Sequence, residues 1–160
     1  MQLSSEIRLD PAGRDEPEVR ALYATFIREA DGPLGDDVDL AAEIAAGPPA
    51  DLVAPGGLLL IARVNGEPAG LGGVRDLDGD VAEVKSMFVA PEFRGVGLGR
   101  RILAELDGIA ARHDCRAIRL DTSDYLTEAI GLYRSAGYRE VPAYNANPKA
   151  SLWFERALRS

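Results

Sequence analysis

The chain of 160 residues has one cysteine, Cys115, and one histidine, His113. A single thiol excludes an intrachain disulfide. One histidine with one cysteine falls short of the ligand sets that hold zinc, so no metal site is expected. Their closeness invites a Cys/His nucleophile. His113, however, falls at the end of an expected helix, and Cys115 opens an expected strand, where cysteines are usually buried and inert. Long hydrophobic runs are also missing. The longest, Leu58–Ala62, is far too short to span a membrane. The opening residues Met-Gln-Leu-Ser-Ser-Glu carry neither the basic region nor the apolar core of a signal sequence, so a cytoplasmic protein is the expectation. Positive charge is scarce: 18 Lys and Arg stand against 26 Asp and Glu, a formal net charge of −8. That balance argues against a nucleic-acid binder, which needs a basic footprint. It suits a cationic substrate, and equally it serves solubility.

What remains is an ordinary globular composition, 46% hydrophobic and 28% charged. The length suits one domain over residues 1–160, with no repeat, low-complexity tract or linker.

The most informative stretch is Arg94-Gly-Val-Gly-Leu-Gly-Arg-Arg101. It follows the apolar run Val84–Val89 and opens a helical segment, Leu98–His113. Strand, glycine turn and helix start together make an anion cradle. Gly95, Gly97 and Gly99 let the backbone turn tightly and approach a ligand. The free N–H groups of the helix start then face it, and the helix dipole favours negative charge there. Arg100 and Arg101 in the first turn oppose that dipole unless a polyanion is bound. The dinucleotide fingerprint fails, because Arg100 stands at its third glycine; the phosphate loop fails for want of Gly-Lys-Ser/Thr. The spacing that fits is R-x-x-G-x-G, through Arg94, Gly97 and Gly99. Taken alone, such a turn can also serve only to pack a helix on a strand.

Elsewhere the pattern alternates strands and helices. Ile7–Leu9 reads as a strand ended by Asp10-Pro11. Glu16–Ala30 carries Val19, Leu22, Tyr23, Phe26 and Ile27 at helical spacing. Asp37–Ala46 reads as a short second helix. Leu58–Val64, Pro68–Leu77 and Val81–Val89 form a meander, turned by Asn65-Gly66 and Asp78-Gly79. Gly70, Gly72 and Gly73 weaken its middle strand and mark a bulge. Leu98, Ile102, Leu106 and Ile109 give the next helix an apolar stripe, widened by Leu103 and Ala110. Arg116–Asp121 follows as a strand parallel to Val81–Val89. Ser123 and Asp124 are N-cap candidates for Tyr125–Ala136, with Gly137 just past its end. Tyr138–Val141 and Ser151–Ala157 close the chain as strands, the last equally compatible with a helix. The fold class is α+β, a mixed sheet of about seven strands with four helices.

The segment Ala129-Ile-Gly-Leu-Tyr133-Arg-Ser-Ala-Gly137-Tyr138 lies about 35 residues beyond the glycine loop. In this order, the loop, this helix end and the strand Glu83-Val-Lys-Ser-Met-Phe-Val89 resemble the GNAT N-acetyltransferase superfamily over nearly the whole chain. The resemblance implies a mostly antiparallel sheet, splayed at an acyl-CoA cleft between Val81–Val89 and Arg116–Asp121. Acetyl-CoA is then the co-substrate. Its pantetheine pairs with backbone near Met87, Phe88 and Val89, and its pyrophosphate sits on N–H groups from Arg94 through Gly95, Val96, Gly97 and Gly99 to Arg100. Many members carry an asparagine shortly after the second of these strands, where this chain has Thr122, Ser123 and Asp124. The implied reaction is acetyl transfer to the amine of a small molecule or peptide, by a monomer or homodimer. Tyr133 would protonate the leaving thiolate; the alternative is a core tyrosine. Glu83 would take the amine proton, since an ideal strand puts it on one face with Lys85, Met87 and Val89; the alternative is a salt bridge with Lys85 or an arginine. Asp31, Asp36, Asp37 and Asp39, between the first two helices, could select a cationic amine, with the loop Tyr144-Asn-Ala-Asn147 opposite; the alternative is a solvated acidic loop and a polar turn. The competing function is a non-catalytic acyl-CoA-binding regulatory domain.

Overall fold

The computed structural model describes residues 6–30, 40–124 and 126–158. In chain order these form β1 (Ile7–Pro11), α1 (Pro17–Ala30), α2 (Leu40–Ala46), β2 (Leu58–Val64), β3 (Glu67–Arg75), β4 (Val81–Val89), α3 (Leu98–Arg112), β5 (Ala117–Thr122), α4 (Thr127–Ser135), β6 (Arg139–Val141) and β7 (Leu152–Ala157). A 3-10 turn, Pro91–Phe93, links β4 to the glycine loop. The seven strands make one sheet in the order β1-β2-β3-β4-β5-β7-β6. Every neighbouring pair is antiparallel except β4 and β5. This is the expected mixed α+β architecture with four helices.

Local chemistry explains most elements. Asn65 and Gly66 both take positive φ, 52° and 84°, the turn that matches the twist of a two-residue hairpin. β1 runs on through Pro11, where a stop was expected; it is an edge strand, and an edge tolerates a residue without an N–H. The last segment is a strand, as the pairing of β7 with both β5 and β6 requires. The N-cap expected at Ser123 or Asp124 is not made. Leu126 holds that position without a side-chain bond, because the Ser123 hydroxyl donates to the Lys149 carbonyl at 2.6 Å.

Two apolar cores lie on opposite faces of the sheet. Leu98, Ile102, Leu103 and Leu106 of α3 pack with Leu60, Val74, Val84, Leu120 and Phe154. Val19, Leu22, Tyr23 and Ile27 of α1 pack with Leu59, Ile61, Leu71 and Phe88. Each such side chain stabilises by about 1.5–3 kcal/mol on burial. Gly72 lets α3 seat closely, since a Cβ there would stand 2.3 Å from Ile102 Cγ2. A polar trio adds a link from α3 to the far strands: the buried Tyr138 hydroxyl donates to buried Asp107 at 2.5 Å, and the partly exposed Arg156 pairs with the other Asp107 oxygen.

Two features of β4 shape the site. Between the pairs Leu71–Phe88 and Gly73–Lys85, β4 has one residue more than β3. Ser86 occupies this bulge region with φ 57°. The extra residue reverses the alternation. Ala82 and Val84 join the α3 core, and so do Met87 and Val89, whereas Phe88 joins the α1 core. Glu83 therefore does not share a face with Met87 and Val89 as an ideal strand would have it. Second, β4 pairs with β5 only from Val81–Ala117 to Glu83–Arg119. Beyond Glu83 the two strands diverge. Across the sheet at that level Arg75, Glu83, Arg119, Glu155 and Arg139 are successive partners, alternating in charge over five strands.

Candidate active site

A cleft of about 510 Å³ lies beside the diverging end of β4. Met87, Val89, Leu98, Leu132 and Tyr133 line it on the α3–α4 side, and Phe26, Glu29, Phe88 and Phe93 on the α1 side. Arg94, Gly95, Gly97, Gly99 and Arg100 form its rim. Val96, the remaining expected cradle residue, points outward with 62% exposure and lies outside the lining.

The glycines of the loop have different duties. Gly95 and Gly97 have φ of 85° and 81°, and a Cβ on either would meet nothing within 4 Å. Backbone conformation requires them, and open space faces them, as an anion cradle needs. Gly97 is the residue that starts α3. Gly99 is a packing glycine: its Cβ would stand 3.0 Å from Leu132 Cδ2 of α4. The two arginines are held from opposite sides. Arg94 donates to Glu29 of α1 at 2.5 Å and to the Val89 carbonyl at 2.9 Å, with its guanidinium 5.8 Å from the Phe88 ring centre. Arg100 donates to the Ser135 hydroxyl of α4 at 2.6 Å.

Tyr133 is 5% exposed and lines the cleft. Its ring lies 6.1 Å from Phe154 and 6.2 Å from Tyr138, so it belongs to the core and to the cleft at once. Burial raises its pKa, and the nearby charge of Asp121 raises it further. The hydroxyl stays protonated at neutral pH.

Glu83 is 3% exposed and does not line the cleft. Arg75 grips its Oε1 at 2.8 and 2.9 Å. The Tyr144 hydroxyl donates to its Oε2 at 2.6 Å, and Lys85 Nζ lies 3.6 Å from that oxygen. Burial, then the bond to Glu83, raises the Tyr144 pKa. Lys85 in turn pairs with Asp121 at 3.2 Å. This pair stands just past the last backbone partners, Glu83 and Arg119, and bridges the fork of β4 and β5 by side chains. Asn145 donates to Asp121 at 2.7 Å, and the Trp153 indole donates to Asn145 at 2.9 Å. Arg119 stacks 3.9 Å from the Tyr144 ring centre. The loop 142–150 is thus fastened to the fork through Tyr144 and Asn145.

Sequence reasoning named Glu83, Tyr133, Tyr144 and the glycine loop but passed over Lys85 and Asp121 as a pair. Their signal was a charge at alternate positions on both strands, which is visible only once the strands are aligned. Asp31, Asp36, Asp37 and Asp39 lie outside the described residues. Among the described residues, no cluster of His, Cys, Asp and Glu could hold a metal ion, and no helix is long and apolar enough to cross a membrane.

With this geometry in view, the comparisons decide the family. The profile of the acetyltransferase (GNAT) family matches residues 17–138. The chain belongs to the GNAT acetyltransferase family. Members transfer acetyl from acetyl-CoA. The chain is 36% identical over 103 residues to the IAA acetyltransferase of Azospirillum brasilense, a match spanning 62% of this chain and 67% of that one. A GNAT-family acetyltransferase of Staphylococcus aureus superposes with a TM-score of 0.73 at 20% identity, covering 96% of this chain and 100% of its own. The PaiA N-acetyltransferase of Thermoplasma acidophilum, solved with coenzyme A, superposes with a TM-score of 0.75 at 12% identity over 95% and 99%. Both share the fold of this GNAT protein.

Proposed function

We propose that this GNAT protein acetylates a primary amine by direct attack on acetyl-CoA within a ternary complex. The observation that carries the reading is one cleft with an open glycine cradle at its rim and a protonated tyrosine on its wall. The pyrophosphate rests on N–H groups from Arg94 to Arg100, and the pantetheine follows the free edge of β4 at Met87, Phe88 and Val89. Amine nitrogen attacks the thioester carbonyl, so a C–N bond forms and the C–S bond breaks. A backbone N–H near Phe88 or Val89 stabilises the oxyanion. Tyr133 gives its proton to the departing sulfur.

The amine must lose a proton to a carboxylate, since a lysine-type amine has a pKa of about 10.4. Asp121 is our first choice, because it stands at the fork and its charge acts on Tyr133. Glu83 is the alternative; Arg75 and Tyr144 hold it as Lys85 and Asn145 hold Asp121.

Tyr133→Phe tests the reading. Loss of general-acid catalysis should lower kcat by about 10²–10⁴-fold while acetyl-CoA binds as before. An unchanged kcat removes Tyr133 from the mechanism. Tight binding of acetyl-CoA without consumption by any amine would instead make the protein an acyl-CoA-binding regulatory domain.

A further inference from the structure

The carboxylates and the amide described on the α1 face of the fork are already matched, while Arg119 keeps a buried Nε with no hydrogen-bond partner. Glu83 is held by Arg75 and Tyr144, Asp121 by Lys85 and Asn145, and Asn145 by Trp153. Within the cleft, the charged groups on the α1 side are Glu29 and Arg94, and they pair with each other. The rest of this side is lined by three aromatic rings. Phe26 of α1 meets Phe88 with ring centres 5.5 Å apart and planes tilted by 43°. Phe88 reaches that face only because the bulge at Ser86 reverses β4. Phe93 of the 3-10 turn completes the wall.

We infer that the acceptor is a primary amine with an aromatic or branched apolar body, seated on Phe26, Phe88 and Phe93. The inference rests on the acetyltransferase reading above and names its substrate class. Such a body exchanges water for ring contact. A polycationic amine seated there would leave its further charges desolvated against the rings, and the carboxylate described on this wall, Glu29, is already paired with Arg94.

The test is a panel of primary amines at saturating acetyl-CoA, followed by coenzyme A thiol release and by detection of the N-acetyl product. Phenethylamine and phenylalaninamide should exceed lysinamide and spermidine in kcat/KM by about 10²-fold, the scale on which an apolar pocket discriminates. Phe26→Ala should lower the ratio of phenethylamine to ethylamine at least tenfold, chiefly through KM. Phe26→Leu, which keeps most of the volume, should shift the preference from aromatic toward branched aliphatic amines. Preference for the polycations overturns the inference and leaves acetyl transfer standing. A Phe26→Ala enzyme with altered acyl-chain preference but unaltered amine preference also overturns it, since the wall would then belong to the donor. Failure of every amine, with acetyl-CoA bound, overturns both readings.

Discussion

Gly72→Ala should loosen α3 and with it the glycine loop proposed to hold acetyl-CoA. The added Cβ would stand 2.3 Å from Ile102 Cγ2 and 3.2 Å from Leu106 Cδ1. Carbon atoms rest at about 3.5–4.0 Å, so the first contact is short by on the order of 1 Å. Ile102 Cγ2 cannot swing aside. It branches from Cβ, and a β-branched residue in a helix has essentially one χ1 well. The helix must retreat, at an overpacking cost of about 1–3 kcal/mol. For a chain of this size that lowers Tm by about 2–12 °C. Because α3 begins at Gly97, the retreat also displaces the N–H groups of the loop and weakens acetyl-CoA binding. Thermal unfolding and calorimetric titration of acetyl-CoA measure the two effects. Gly131→Ala is the control: its Cβ meets nothing within 4 Å, and in a helix interior the change should stabilise by about 0.5–1 kcal/mol. A Gly72→Ala protein melting within about 1 °C of the parent would refute the claim that this glycine seats α3.

Two further outcomes follow from the titratable groups. Burial raises the pKa of Tyr133 and Tyr138, with Asp121 and Asp107 adding to the respective shifts. Both phenols hold their protons in the folded chain past the point where the unfolded chain releases them, near pH 10. Their contribution to stability is whole below that pH and is lost as pH rises above it, by about 3 kcal/mol per pH unit for the two together. Urea unfolding at pH 9, 10 and 11 reads this directly, and a flat midpoint would contradict the burial of both rings. At the fork, Asp121→Asn should lower kcat by about 10²–10⁴-fold, whereas Glu83→Gln should lower it less and chiefly loosen the 142–150 loop, to which Glu83 is tied through Tyr144; the reverse pattern in steady-state kinetics transfers the base to Glu83.

The parts of the molecule written in short-range chemistry were legible in its sequence. The stripe Leu98, Ile102, Leu106 and Ile109 announces α3, and all four side chains are buried. Asn65-Gly66 announces its hairpin. The glycine loop follows a strand and starts a helix, so its place at the cleft rim could be anticipated. Long-range effects were not legible. Ser86 has a positive φ without being glycine, so nothing in its identity signals the bulge that moves Phe88 to the α1 face and separates Glu83 from Met87. Ser123 looks like a helix cap, but a carbonyl 26 residues away takes its hydroxyl. Lys85 and Asp121 are 36 residues apart and meet only because β4 and β5 lie parallel.

The alternating row from Arg75 to Arg139 bears on how β4 and β5 find their register. Their ladder has only three partner pairs, too few for backbone hydrogen bonds alone to fix the alignment firmly. A slip of β5 by one residue would send Arg119 and Asp121 into the apolar core beneath α3. A slip by two in one direction sets Glu83 against Asp121, and in the other it sets Lys85 against Arg119; like charges directly opposite are destabilising. Each nearby misalignment therefore meets either burial of charge or repulsion. The charges let the contact between these strands stay short, and a short contact is what leaves their far ends free to part around a substrate.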